Sequence, residues 1–93
     1  MNKHYIVSLI PRKGISFVDV EESLNKRKDW YRIKPNVWIV VTKKKVVDLY
    51  RTLSEFAKPD GQIFICGLRL EDRAGWLNAD LIEWLRSRDE NTQ

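Results

Sequence analysis

Apolar residues along this chain alternate between two periods, and the switches mark out its elements. From Tyr5 to Ile10 every residue except Ser8 is apolar, which predicts a strand covered on both faces and therefore central. Pro11-Arg12-Lys13-Gly14 breaks the run. The spacing then turns helical, with Phe17, Val20 and Leu24 on one face. Ser16 stands at the N-cap, Asp19 in capping-box position, and Ile15 with Val20 forms a hydrophobic staple. Asn25–Asp29 is polar and ends this helix. Two extended runs follow, Trp30–Ile33 and Val37–Val41, rich in Trp, Tyr, Ile and Val. Between them lies Lys34-Pro35-Asn36, which is turn chemistry, so the stretch predicts a β-hairpin.

A second helix is predicted from about Lys43 to Ala57, capped by Thr42, because Val46, Leu49, Tyr50, Leu53 and Phe56 recur at helical spacing. Pro59-Asp60-Gly61 is a turn, and Gln62–Gly67 reads as a short apolar fourth strand. Leu68–Leu70 is expected to continue as an edge strand, followed by a polar loop over Glu71–Gly75. Asn78 caps a last helix of about Ala79–Arg88, with Leu77 and Ile82 as its staple. Asp89–Gln93 is expected to be a frayed tail.

The order strand, helix, strand, strand, helix, strand predicts an α+β fold of the ferredoxin-like βαββαβ type. It implies a four-stranded antiparallel sheet with two helices on one face, plus a C-terminal edge segment and helix. Residues 1–93 form one domain, with a core at 5–67, an extension at 68–88 and the tail at 89–93. The second sheet face must be solvated or covered by a partner. Trp30, Trp38 and Val40 are not expected all to point at the helices, so with Leu68 and Leu70 they are the candidate dimer interface.

Charge adds a candidate ligand. The net charge is +4, but residues 1–58 carry 13 Lys and Arg against 6 Asp and Glu, and residues 59–93 carry 4 against 7. So uneven a balance points to a polyanion partner or to subunits meeting through opposite charges. Lys43-Lys44-Lys45, placed in the first turn of a helix where the dipole favours anions, combines cations with free backbone N–H groups. With Arg12, Lys13, Lys34 and the Asn25–Lys28 cluster, these lysines are the candidate contacts for a DNA or RNA backbone. A solvated charged edge is the plainer alternative. Base stacking on exposed aromatics is the other mode considered, but the third strand Val37-Trp38-Ile39-Val40-Val41 lacks the glycine-and-aromatic pattern it requires.

The remaining residues argue against catalysis and cofactors. Cys66 is the single cysteine, which excludes a disulfide framework and predicts a buried, reduced thiol. No apolar run reaches the roughly 18 residues of a membrane span and no export leader is evident, so a cytoplasmic protein without membrane contact is expected. His4 stands alone, the glycines are scattered, and Ser8, Ser16 and Ser54 have no base to activate them. Asp19, Glu21 and Glu22 are most simply cap and surface residues. No catalytic residue, metal site, cofactor or small-molecule substrate is predicted.

Three pieces of the chain carry a resemblance: Tyr5-Ile6-Val7-Ser8, the hairpin Trp30-Tyr31…Trp38-Ile39-Val40, and Ala74-Gly75-Trp76. Over roughly Tyr5–Trp84 the sequence resembles the small bacterial proteins called SinR-type, which are distinct from the helix-turn-helix regulator of that name. That group is similar in fold to the second CRISPR-associated adaptation protein and to small toxin–antitoxin ribonucleases. The resemblance implies a ferredoxin-like homodimer in which a C-terminal edge strand can pair across subunits. It also implies either metal-dependent nuclease activity or a nucleic-acid-binding scaffold role. The nuclease relatives end their first strand with a metal-holding aspartate, and here that place is Leu9-Ile10-Pro11. A non-catalytic homodimer that binds nucleic acid is therefore the leading expectation. A toxin–antitoxin-type endoribonuclease and a protein-interaction module are the alternatives.

Overall fold

The computed structural model describes residues 2–26 and 29–91, with side chains of the last helix described as far as Ser87. Strands β1 (Lys3–Ile10), β2 (Asp29–Lys34), β3 (Val37–Thr42) and β4 (Gln62–Gly67) form one antiparallel sheet in the order β2-β3-β1-β4. Helices α1 (Phe17–Leu24) and α2 (Val46–Leu53) connect β1 to β2 and β3 to β4, and α3 (Ala79–Asn91) closes the chain. A single 3₁₀ turn, Ser54–Phe56, extends α2. This is a ferredoxin-like βαββαβ arrangement with an added C-terminal helix. Helix α3 runs to Asn91, beyond the predicted end at about Arg88.

Burial explains the layering. Tyr5, Val7 and Leu9 of β1 share a face, and with Trp38 and Val40 of β3 they pack against Val20 and Leu24 of α1 and Leu49 and Leu53 of α2. Both connecting helices therefore lie on one face of the sheet, as expected. Trp30 also packs against this core. That corrects the expected split of the aromatic residues. Trp30 pairs directly with Val40, and Trp38 lies two residues from Val40, so alternation sends all three side chains to the helix face. The indole N–H groups find acceptors there. Trp38 Nε1 donates to Glu21 Oε2 at 2.9 Å and Trp30 Nε1 to Asn25 Oδ1 at 2.8 Å.

The second face is partly covered by the chain's own C-terminal helix. Ile39, Leu70, Leu81 and Leu85 form a smaller core, bordered by Tyr31, Ile33, Leu68 and Trp84. Tyr31 and Trp84 meet with ring centroids 5.6 Å apart. Residues 68–70 form a loop rather than an edge strand, tied to β1 by Leu68 N–H donating to the His4 carbonyl at 2.8 Å. The loop delivers Leu70 beneath α3. Trp38, Val40 and Leu70, expected at a subunit interface, are thus buried within the chain, and Trp30 and Leu68 border its two cores. Asn78 caps α3 as predicted, its side-chain oxygen accepting the Leu81 N–H at 2.8 Å and the Tyr31 hydroxyl at 3.4 Å.

Local signals account for most element boundaries. Ser16 N–H donates to the Asp19 carboxylate at 3.1 Å, and the capping box expected of Ser16 and Asp19 is present. The start of α2 differs. Thr42 ends β3 and its hydroxyl accepts the Lys44 N–H at 3.2 Å, so Lys45 becomes the N-cap and the helix begins three residues later than predicted. Cys66 is exposed rather than buried, because even-numbered residues of β4 point to the second face beyond the cover of α3.

Candidate nucleic-acid interface

The strand register divides the six predicted cations into two groups. Lys3 pairs with Thr42 and Asp29 with Val41, so the start of β1, the start of β2 and the end of β3 share one end of the sheet. Lys43, Lys44 and Lys45 lie there. At the other end, Leu9 N–H donates to the Asn36 carbonyl and Ile10 pairs with Gln62. Arg12, Lys13 and Lys34 lie at that end. The six residues of β3 separate the groups by on the order of 20 Å, at about 3.4 Å per residue. One protomer does not bring all six together.

The lysine end is the freer of the two. Tyr5 Oη donates to the Lys44 carbonyl at 2.7 Å and Lys44 Nζ reaches Thr52 Oγ1 at 3.3 Å, so the loop into α2 is held at its centre. Lys43 and Lys45 on either side are exposed, as are Lys3 and Lys26. None of these four forms an ion pair among the described residues, whereas Arg32 pairs with Glu21, Arg51 with Asp48, Arg69 with Glu71 and Arg86 with Glu83. Lys45 makes no side-chain cap, which leaves the first N–H groups of α2 beside these cations. Lys3 was missed by sequence reasoning because its neighbour Thr42 is distant along the chain. Of the predicted Asn25–Lys28 cluster, Arg27 and Lys28 lie outside the described residues.

The opposite end is more committed to holding the fold. Arg12 Nε donates to the Glu55 carbonyl at 3.0 Å and its N–H to the Phe56 carbonyl at 2.7 Å. Lys13 N–H donates to Asp60 Oδ1 at 3.2 Å, and Lys34 is exposed beside the irregular register at Arg32/Lys34.

Tyr5 couples the lysine loop to pH. Burial, and secondly the Asp48 carboxylate, hold its phenol above the usual tyrosine value. A raised folded-state pKa contributes stability that is complete below about pH 10 and is lost as the pH climbs through the folded value. Urea midpoints measured from pH 9 to 11 are therefore expected to fall, and Tyr5→Phe to flatten part of that slope. An identical slope in the variant would refute the assignment.

Catalytic groupings are a different matter. No set of three or more His, Cys, Asp or Glu able to hold a metal occurs among the described residues. Ser16 sits in the capping box with Asp19, and Ser54 donates to the Arg51 carbonyl at 3.5 Å. A cavity of about 640 Å³ lies on the second face, walled largely by the loop between β4 and α3, including Leu70 and Arg73, and closed by Ile6, Ile39, Ile82 and Leu85. No described helix is long and apolar enough to cross a membrane. Fold and site together define a ferredoxin-like domain with a basic sheet end and a helix closing part of its second face. Comparison with protein-family models, curated proteins and solved structures finds no match to this chain.

Proposed function

We propose that this chain is a non-catalytic, homodimeric, cytoplasmic protein that binds the sugar-phosphate backbone of DNA or RNA. It acts as a scaffold for a nucleic-acid-handling partner, the role that its resemblance to SinR-type and CRISPR-adaptation proteins implies. The observation that supports the reading most is that Lys3, Lys43 and Lys45, exposed and without carboxylate partners among the described residues, share the end of the sheet where the uncapped α2 starts. Cations already solvated and unpaired can exchange water for phosphate without breaking an internal contact, and each releases counterions from the nucleic acid.

The test is a salt series with mixed DNA and RNA oligonucleotides. Affinity is expected to fall steeply as salt rises, and the variant carrying Lys43→Ala, Lys44→Ala and Lys45→Ala to bind more weakly with a log–log slope reduced by about two to three. Its stability should change by no more than about 0.5 kcal/mol at each of the exposed Lys43 and Lys45, and by about 0.5–1.5 kcal/mol at Lys44, whose Nζ bonds Thr52 Oγ1. Undetectable binding at low salt, or binding indifferent to salt, would sink the proposal. Chelator-sensitive cleavage of the RNA would favour the endoribonuclease alternative. The exposed apolar residues beside β4, including Val47 and Phe64, support a second reading as a protein-interaction module. A triple-lysine variant that retains its partner would select it.

A further inference from the structure

The two edges of the sheet are built differently. Edge strand β2 carries Asp29, Arg32 and Lys34, an irregular register at Arg32/Lys34, and packing against α3. These are the features that discourage strand addition. Edge strand β4, Gln62–Gly67, has no charge, no proline and an unbroken six-residue register with β1. Exposed apolar side chains flank it on both faces: Phe64 and Ile10 on one, Val46, Val47 and Tyr50 of α2 on the other. Phe64 is 65% exposed, against 0% for the equally aromatic Trp38.

The hydrogen-bonding alternation shows which groups remain open. His4 accepts from Leu68 and Leu9 donates to Asn36, so even residues of β1 bond toward β4 and odd ones toward β3. In β4, residues 62, 64 and 66 face β1, leaving the N–H and C=O groups of Ile63 and Ile65 directed outward.

We propose that β4 pairs antiparallel with β4 of a second copy about a two-fold axis at Phe64, and that this pairing joins the two separated basic groups into one track. The proposal names the surface of the homodimer advanced above and so rests on that reading. In this register Ile63 of each protomer bonds to the partner's Ile65, the two Phe64 rings meet as a close non-bonded pair, and Gln62 faces the partner's Cys66. No like charges oppose one another within the strands. The two α2 helices run antiparallel, so Lys45 at the start of one lies toward the partner's Glu55 at the end of the other. The surface is self-complementary, as a two-fold interface requires.

The consequence for the site follows from strand direction. Antiparallel pairing sets the lysine end of one protomer beside the opposite end of its partner. Lys43, Lys44 and Lys45 then share a sheet edge with the partner's Arg12, the partner's Lys13 and the partner's Lys34. Eight strands spaced about 4.8 Å apart give that edge a length on the order of 35 Å. The two-fold repeats it on the opposite side.

Light scattering, oxidative cross-linking and oligonucleotide binding test the proposal together. The 11.1 kDa chain is expected to run at twice that mass, and Phe64→Lys at the monomer mass with unchanged circular dichroism. Gln62→Cys is expected to form a covalent dimer through the partner's Cys66 on mild air oxidation. Within one chain positions 62 and 66 are about 13 Å apart along the strand, too far for a disulfide. A monomeric native chain, or a native dimer whose Gln62→Cys variant does not cross-link, overturns the interface. Phe64→Lys is expected to lose at least tenfold in oligonucleotide affinity. A monomeric Phe64→Lys that binds at full strength overturns the joined track while leaving nucleic-acid binding intact. Cross-linked dimers that bind no oligonucleotide reject nucleic-acid binding while leaving the interface intact.

Discussion

Trp38→Ala is expected to destabilise the fold by about 3–5 kcal/mol, the usual range for removing a buried large aromatic side chain. Trp38 is the largest fully buried side chain, standing in the helix-side core with Val40, Val7 and Leu24. Its loss also removes the 2.9 Å donor to Glu21, whose carboxylate then holds only Arg32, at 3.3 Å. Arg32 in turn lies over the Phe17 ring, 4.5 Å from its centroid, so disturbance at Trp38 passes through Glu21 to the exposed rim of α1. A domain of this size has a total stability near the lower end of about 5–15 kcal/mol, so the variant should be close to half unfolded in mild urea. The urea midpoint is expected to drop steeply with little change in slope. Trp76→Ala is the control, since Trp76 is 99% exposed and should shift stability by no more than about 0.5 kcal/mol. Equal midpoints for the two variants would refute the core assignment.

Gly61→Ala is the second large effect, and it acts through crowding rather than a cavity. A methyl group on Gly61 would run into the Ile10 carbonyl oxygen, the Ala57 carbonyl oxygen at 2.8 Å and the Pro11 carbonyl carbon at 2.9 Å. All three are backbone atoms, which cannot rotate aside as a side chain can. The Gly61 N–H also donates to the Ala57 carbonyl at 2.6 Å, fixing the approach. Relief requires the end of β1 and the start of β4 to separate. The cost should reach the upper part of the roughly 1–3 kcal/mol range for overpacking. That corresponds to a fall in Tm on the order of 10 °C for a domain of this length. Gly67→Ala meets nothing within 4 Å and is expected to leave Tm nearly unchanged. A Gly61→Ala melting curve that overlays the native one would show that the turn yields more easily than its contacts imply.

The site was legible in its residue types but not in its assembly. Lysines 43 to 45 stand out in the sequence because no acid follows until Asp48. Their position at a helix start was nearly correct, displaced only because the Thr42 hydroxyl accepts the Lys44 N–H and delays the first turn. What could not be read was which other cations join them. Lys3 reaches Thr42 across 39 positions, whereas Lys34, only nine positions from Lys43, lies at the far end of β3. Chain distance and spatial distance are inverted here by the hairpin.

The sequence by itself determined the βαββαβ order, the β4 boundaries and the caps at Ser16 and Asn78. These depend on period and on contacts within a few residues, which local physical chemistry sets. Only the tertiary structure decided which side of the sheet each strand's apolar residues serve. Trp38 and Val40 go to the helices and Ile39 to α3 because the register with β1 and β2 assigns their faces. Nor could the sequence show that the loop after β4 folds α3 over the second face instead of extending the edge, since that follows from burying Leu70, Leu81 and Leu85 together across more than a dozen positions. The same loop leaves the β4 edge uncovered.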